Sequence, residues 1–532
     1  MEMCALHLVT CTLQPVDLSF RISDFYSSNL LYMILNKTNL SAITSPTVQK
    51  PEAAVFDLPE KVLQFGTGVL LRGLPDYFID KANEQGIFNG RVVVVKSTDT
   101  GGTDAFEDQD GLYTLCVRGL DKGEKVEENR ICSAISRVLS AKEQWDEILK
   151  CAHNPQLQII ISNTTEVGIT LVEEDIRQKP PVSFPAKLLA FLYERYNACH
   201  GNADGGMVII PTELIVGNGT RLFEIICSLA AYNKLEGGFM EWLKANNIFC
   251  NSLVDRIVPG KPAADPKQKI EEELGYTDEL LIMCEVYRLW AIEGDDKVKQ
   301  ILSFAPADSG VIIAPDIEMY RELKLRLLNG THTLSCGLAF LSGFNTVKDA
   351  MEDQAFGQFV HDLMLNDIAP AIPAKVDAEE AERFGLQVLD RFRNPYINHQ
   401  WISITMQYTS KMKMRVVPVL LKYFADHDKV PQHIALGFAA YLLFMKSIKR
   451  EGDRYQGEWK GKPYPVNDDK APYFFEQWKK YEADELVQQV LSDTGLWGTD
   501  LSVLPRFVQT VQAHLNDLLT QRNTQYELAT KR

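Results

Sequence analysis

The sequence predicts an α/β protein in two parts, a parallel sheet domain followed by a mostly α-helical C-terminal domain. Three observations predict it. Residues 61–65 form a short apolar run that passes straight into Gly66-Thr-Gly68 and then into a helical pattern over 74–82, the order strand, glycine turn, helix. Further short apolar runs at 92–95, 157–162 and 207–210 alternate with helical stretches such as 186–196 and 221–232, as in a buried parallel sheet. From Glu318 onward the periodicity is helical and broken by loops, for example over 401–424 and 474–491, without alternating strands. The first part therefore reads as a Rossmann-like dinucleotide-binding domain whose ligands lie at the carboxyl ends of its strands. With 532 residues, 45% of them hydrophobic, the chain is too long for one ordinary domain. The expected division is an extension of unknown role over 1–55, the sheet domain over 56–310 and a substrate-binding domain over 311–532.

Taken in order, residues 1–13 are apolar but lack a basic flank and a small-residue cleavage site, so no secretory signal is expected. At the first turn Gly66 makes the tight bend, Gly68 lets a pyrophosphate approach the backbone, and the amides after Thr67, at Val69 and Leu70, point at phosphate. Leu71 stands where the usual fingerprint has its third glycine, and Gly73 follows two residues later; Arg72 is expected to compensate by pairing with phosphate. The second strand ends in Lys96-Ser-Thr-Asp99, with a cation where an acidic residue normally takes the adenine ribose hydroxyls. Asp99 is close enough to serve NAD and Lys96 could welcome the extra phosphate of NADP, so both cofactors stay open on these residues. Asn163, Thr164, Glu166 and Glu213 follow the next strands and are expected to line the same crevice. The apolar run 434–445 falls well short of the ~20 residues that span a bilayer and reads as a buried helix. Residues 449–470, lysine-rich with several Gly, Pro and Asp, read as a long loop or insertion.

A formal net charge of -16 argues against a nucleic-acid or anionic-membrane surface, both of which need a basic footprint. Ten cysteines without a CxxC pair suit free thiols in a reducing, cytoplasmic compartment. The nine histidines are isolated, so no metal site is expected and any redox chemistry must come from an organic cofactor.

The chemistry-bearing stretch is Glu322-Leu-Lys-Leu-Arg-Leu-Leu-Asn-Gly-Thr-His-Thr333. At about 100° per residue, Asn329 and His332 fall roughly 140° and 80° round a helix from Lys324, so the three can border one cleft. On the residues alone an amphipathic helix with a snorkelling lysine and a core histidine explains them equally.

The motifs Gln64-Phe-Gly-Thr-Gly68 with Arg72, Gln109-Asp-Gly-Leu-Tyr-Thr114, Ser162-Asn-Thr-Thr-Glu166, Phe184-Pro-Ala-Lys-Leu188, Asn218-Gly219, Leu253-Val-Asp-Arg-Ile257 and Lys324-x4-Asn329-x2-His332 together resemble the mannitol dehydrogenase family, long-chain, metal-independent polyol and sugar-acid dehydrogenases. Pro211-Thr-Glu-Leu-Ile215, Glu271-Glu-Glu-Leu-Gly-Tyr276 and Arg391-Phe-Arg-Asn-Pro-Tyr-Ile397 are most similar to its uronate-reducing branch, and the resemblance covers roughly residues 55 to 450. Leu70 departs from the aromatic usual in the family, and Thr212 from the cysteine usual in that branch. The resemblance implies a Rossmann-like domain with a helical partner, NAD(H), no metal, and a small sugar acid as substrate. The activity it implies is reversible reduction of D-tagaturonate to D-altronate in hexuronate catabolism. Fructuronate–mannonate or mannitol-type chemistry on the same fold stays open, as does a monomer or a small homo-oligomer. A nucleotide-binding protein without chemistry is the rival of a different class, and the presence of all three of Lys324, Asn329 and His332 argues against it.

In that frame Lys324 is the acid and base, and the proton it must release in the oxidation direction calls for a pKa depressed by partial burial. Asn329 holds the reacting oxygen and His332 orients a neighbouring hydroxyl. The resemblance also turns Asn218 and Asp255 to the substrate, although Asp255 could simply pair with Arg256 or cap a helix. Arg393 is expected to fork the substrate carboxylate, with a surface salt bridge as the alternative, and His399 is expected in the same pocket.

Overall fold

The structure, a computed structural model, describes residues 33–98, 101–164 and 168–520; Asp99, Glu166 and the first 32 residues lie outside these. The sheet that positions the nucleotide turn has six parallel strands: β1 (Glu60–Phe65), β2 (Arg91–Lys96), β3 (Ile135–Ser140), β4 (Ile159–Ser162), β5 (Val208–Pro211) and β6 (Ile248–Phe249). Their order is β6-β5-β4-β1-β2-β3. The direction of winding reverses at β1, and a crevice opens beyond the carboxyl ends of β1 and β4. Val92 to Val95 in β2 have no exposed surface, as an uninterrupted β-branched run requires. Two helices, α1 (Val69–Gly73) and α2 (Pro75–Glu84), follow the turn and put Leu71, Leu74 and Phe78 against one face. Helices α3 (Phe184–Ala198) and α4 (Asn218–Tyr232) cover the other through Leu188, Leu192, Leu222 and Ile226.

The helical pattern after the turn is interrupted at Leu74 (φ -134°, ψ -77°), where α1 stops and Pro75, lacking an N–H, opens α2. The break brings Gly73 against Val258, whose side chain would lie 2.9 Å from a Cβ there. Between β2 and β3 a hairpin, Tyr113–Asp121 with Glu124–Cys132, forms a second sheet with Ile282–Glu285 and Val48–Gln49. Part of the presumed extension thus belongs to the fold: Met33–Ile34 pair with Tyr276 and Thr277, and Leu35, Ile43 and Val48 are buried with Leu112, Ile131 and Tyr276.

A third sheet joins Ser252–Asp255, Leu289–Glu293 and Val311–Ala314. The last strand, counted with the C-terminal part by the boundary near 310, pairs parallel with Leu289–Glu293, and the helical part begins only at α5 (Glu318–Leu323). A π-helical segment (Lys324–Gly330) and α6 (Thr331–Ser342) continue from α5. Helix α7 (Ala378–Phe392) packs beside them, and α8 (Gln432–Phe444), buried on nearly every side, is the centre of the helical core. The region expected as a loop is instead a β-meander, Ser447–Glu451, Arg454–Trp459 and Lys462–Pro465. Its turns use positive φ at Gly452 and at Lys460-Gly461, and the inward residues Tyr455 and Tyr464 supply what the lysines do not.

Candidate active site

At the nucleotide turn Gly66 has φ +128°, and a Cβ there would lie 2.9 Å from Leu71 and 3.1 Å from the Asn163 carbonyl, so only glycine fits. Gly68 precedes α1 and a Cβ on it would meet nothing within 4 Å, which leaves the backbone open to a ligand. Thr67, Val69 and Leu70 are half-buried on the same turn. Asn163 donates to the Thr212 Oγ1 (2.9 Å), and the Thr164 N–H donates to Glu213 Oε1 (2.8 Å), so both residues fasten the end of β4 to that of β5 beside Gly66. A required glycine, an open glycine and a switch point fit a dinucleotide pyrophosphate. Arg72 does not join them. It is buried on the other side of α1, its Nη1 donates to the Leu280 carbonyl (2.6 Å), and Phe106 and Tyr113 flank it at 5.6 and 5.3 Å. Burial lowers its pKa against the opposing charges of Asp278 and Asp76.

The second half of the site is a cavity of about 230 Å³ between the third sheet and the helical part, lined by Asp255, Lys324, Asn329, His332, Arg391 and His399 with an apolar rim. Lys324 Nζ donates to the Val254 carbonyl at 3.0 Å and lies 3.7 Å from Asp255 Oδ1. The segment Lys324–Gly330 is π-helical and not α-helical. An i→i+5 ladder turns less per residue than an α-helix, so Asn329 comes nearer in facing to Lys324 than the α-helical angle allows and both line the cavity, and π turns of this kind recur at functional sites. The Asn329 backbone carbonyl accepts from Thr333 (2.7 Å), while its side-chain amide has no partner among the described residues.

His332 stacks on Phe392, ring centroids 4.0 Å apart and planes within 11°, with His399 edge-on at 5.2 Å. Its Nε2 is buried without a hydrogen-bond partner. Burial, reinforced by His399, Arg391, Arg415 and Lys411, holds its pKa well below the ordinary imidazole value, so the ring is neutral. His399 is lowered by burial and by Lys411.

Asp255 pairs with Arg391, and the sequence alternative of Arg256 is ruled out by geometry. Arg391 Nη1 and Nη2 meet the two Asp255 oxygens at 2.8 and 3.0 Å, and its Nη2 and Nε meet Glu285 at 2.8 and 3.0 Å. Arg256 is directed away, to the carbonyls of Gly73 (2.6 Å) and Glu285 (3.0 Å). Burial alone would raise the Asp255 pKa, but Arg391 and Lys324 outweigh it and hold the carboxyl below its usual range.

Two expected residues lie elsewhere. Asn218 is fully buried, its Nδ2 donating to the carbonyls of Pro211, Glu213 and Ser252 and its Oδ1 accepting from Gly219 and Ser252. It has no hydrogen-bonding capacity left for a substrate and acts as a peg between β5, α4 and the third sheet. Arg393 is exposed as the C-cap of α7 and does not line the cavity. Arg391, two residues earlier, does. Sequence periodicity carries the signal that was missed: Arg391 follows the buried Phe384 and Val388 by seven and three residues, on the inward stripe of α7.

A mannitol dehydrogenase Rossmann-domain profile matches residues 60–303, and a mannitol dehydrogenase C-terminal-domain profile matches 316–519. The chain belongs to the mannitol dehydrogenase family. Among family relatives, an altronate oxidoreductase of Bacillus subtilis (strain 168) is 38% identical over 480 residues, 88% of this chain and 96% of the relative. An altronate oxidoreductase of Yersinia enterocolitica is 38% identical over 472 residues, 87% and 95% of the two chains. Two solved structures share the fold. Mannitol 2-dehydrogenase of Pseudomonas fluorescens, in a ternary complex with NAD and D-mannitol, is 23% identical with a TM-score of 0.62, over 93% of this chain and 98% of that one. A D-sorbitol dehydrogenase in substrate-free form is 21% identical with a TM-score of 0.69, over 89% and 100%. The protein is thus an oxidoreductase acting on CH–OH groups, a sugar-acid or polyol dehydrogenase in the terms of its family. Among the described residues no helix is long and apolar enough to cross a membrane, and no group of three or more His, Cys, Asp or Glu is placed to hold a metal ion.

Proposed function

We propose that this enzyme interconverts D-tagaturonate and D-altronate with NAD(H), and that Lys324 moves the proton. The observation that carries the reading is the grouping of Lys324, Asn329 and an unpartnered, neutral His332 on one wall of the cavity. The altronate oxidoreductases similar over most of the chain support the choice of substrate. The turn Gly66-Thr-Gly68 with Val69, Leu70, Asn163 and Thr164 would hold the dinucleotide, which when bound supplies the hydride or takes it up.

Each side chain then has a distinct task. In reduction the Lys324 ammonium donates a proton to the oxygen that was the ketone's; in oxidation neutral Lys324 takes the alcohol proton. Two of its hydrogens have fixed directions, to the Val254 carbonyl and toward Asp255, and the third is free for substrate. Asp255, already held by Arg391, balances the lysine charge at 3.7 Å, so the group is held in place through a change of protonation. The Asn329 amide donates to the same oxygen without changing charge, as an oxyanion-hole donor does. His332, its ring plane fixed by Phe392, offers Nε2 to a neighbouring substrate hydroxyl.

NADH oxidation followed by absorbance with D-tagaturonate, D-fructuronate and D-fructose in parallel tests the proposal. D-Tagaturonate should be used most efficiently, and a preference for either of the others reverses the substrate assignment. NADH should be preferred to NADPH, as the family resemblance favours, with Lys96 donating to the Thr98 carbonyl. Equal efficiency with the two cofactors would overturn that preference.

A further inference from the structure

The lysine-rich meander takes no part in the chemistry above, yet its last hairpin closes a cavity of its own. The volume is about 490 Å³, twice that of the catalytic cavity. Phe340, Phe344, Ile402 and Trp459 form its walls. One backbone bridge divides the two cavities: Thr346 pairs with Gln400, the Val347 N–H donates to the His399 carbonyl (2.9 Å), and the Trp401 N–H donates to the Asn345 carbonyl (3.0 Å). Val347 and His399 line the catalytic cavity, whereas Asn345 and Gln400 line this one, so it is a separate space.

The hairpin over the cavity is fastened in place. Trp459 Nε1 donates to the Leu341 carbonyl, the Tyr464 hydroxyl donates to the Phe444 carbonyl (2.9 Å), and the Tyr464 ring stands edge-on to Phe340 at 4.9 Å. Trp459 pairs with Lys462 across a two-residue turn in which Lys460 and Gly461 have φ +48° and +75°, the geometry of a tight hairpin. Both Lys460 and Lys462 therefore stand at the cavity mouth on a fixed frame, which lowers the ordering cost of binding. Neither lysine forms an ion pair among the described residues, and no carboxylate lines the cavity. In a chain of net charge -16 this is a local reversal of sign, and it favours an anion. The side-chain amides of Asn345 and Gln400 make no hydrogen bond among the described residues and leave donors for the polar end of a ligand. Aromatic walls with a few polar groups at one edge are the composition of a small-molecule site. A sugar acid fits it less well, because two amides cannot serve a row of hydroxyls that the rings would strip of water.

We infer that this cavity is a second ligand site that takes an organic anion with a flat apolar body, the rings of Phe340, Phe344 and Trp459 holding the body and Lys460 and Lys462 the acid group. The test is isothermal titration calorimetry of the NADH-saturated enzyme with naphthoate, its neutral amide and acetate. Naphthoate should bind one to one. The amide, which keeps the body, and acetate, which keeps the charge, should each bind about 10-fold more weakly or worse, the scale of a lost charge-assisted hydrogen bond. Lys460→Asn combined with Lys462→Gln should lower naphthoate affinity about 10-fold and leave that of the amide unchanged; both side chains are exposed, and asparagine tolerates the left-handed turn. Lys462→Arg should bind naphthoate as the wild type does, and Phe344→Leu should weaken naphthoate and the amide alike. No binding to the wild type, equal affinity for the amide, or an undiminished affinity in the double lysine variant overturns the inference.

Discussion

Asn218 and Lys324 are both polar, both near the cleft, and opposite in role. Lys324 leaves a donor free, whereas Asn218 spends five hydrogen bonds on its own backbone surroundings. Lys324→Ala should therefore lower turnover about 10²-fold or more while leaving NADH affinity intact in a cofactor titration. Asn218→Ala should instead cost several kcal/mol of stability, ~1 for each buried group left unpaired, visible as a lower midpoint in urea. Asp76 adds a pH dependence. Burial pushes its carboxyl up to about 7 against the opposing Gln64 hydrogen bond and Arg72 charge, and Asp76 Oδ1 and Gln64 Oε1 are buried without partners. The folded state then holds a proton that the unfolded chain has lost, so stability falls as pH rises from the ordinary carboxylate range to about 7 and is level above it. Asp76→Asn should raise the melting temperature more at pH 8 than at pH 5; an equal gain at both would remove ionisation as the cause. Such pegs were illegible in the sequence, because a motif marks a residue as special without saying whether it is special for chemistry or for folding. The expected place of Arg393 in the pocket differs from the structure for a simpler reason. Two residues apart on a helix point about 200° apart, so only one could face the cleft, and the apolar stripe of α7 decided which.

Among elements, the glycine turn was legible because its constraint is local: a backbone at φ +128° packed against Leu71 and Asn163 leaves only one residue type possible. The π-helical segment was not, since its widened ladder leaves no mark in the composition of Lys324–Gly330. It also carries the strongest prediction at this scale. Adding one alanine after Leu325 exceeds the single extra residue that the π turn absorbs and should turn Lys324 by about 100° relative to Asn329 and His332. Turnover should vanish while circular dichroism and NADH binding persist; an active insertion would show that the widened turn does not set the facing of the three residues. The β-meander over Ser447–Pro465 escaped for the opposite reason, its lysines concealing an alternation carried by two tyrosines.

Across the whole molecule, Arg391 is a buried ionic tie between the two parts, since it comes from α7 while Asp255 and Glu285 come from strands of the sheet half. Arg391→Met would leave Glu285 buried without its cation and Asp255 with Lys324 alone, a loss of about 3–5 kcal/mol. Unfolding should then split into two transitions, with the wild type showing one. Asp255, held below the usual carboxylate range, contributes stability that is fully present above that range and lost only as pH falls through its own lower value, so the Asp255 arm of the tie should outlast moderate acid. The broad division into a sheet half and a helical half was legible from periodicity, whereas this tie, which spans 136 positions of sequence, had no local trace. Its mechanical meaning concerns motion. A jaw bolted at its inner edge does not swing, so cofactor and substrate enter a cleft already at working width, and small-angle scattering should return the same radius of gyration with and without them.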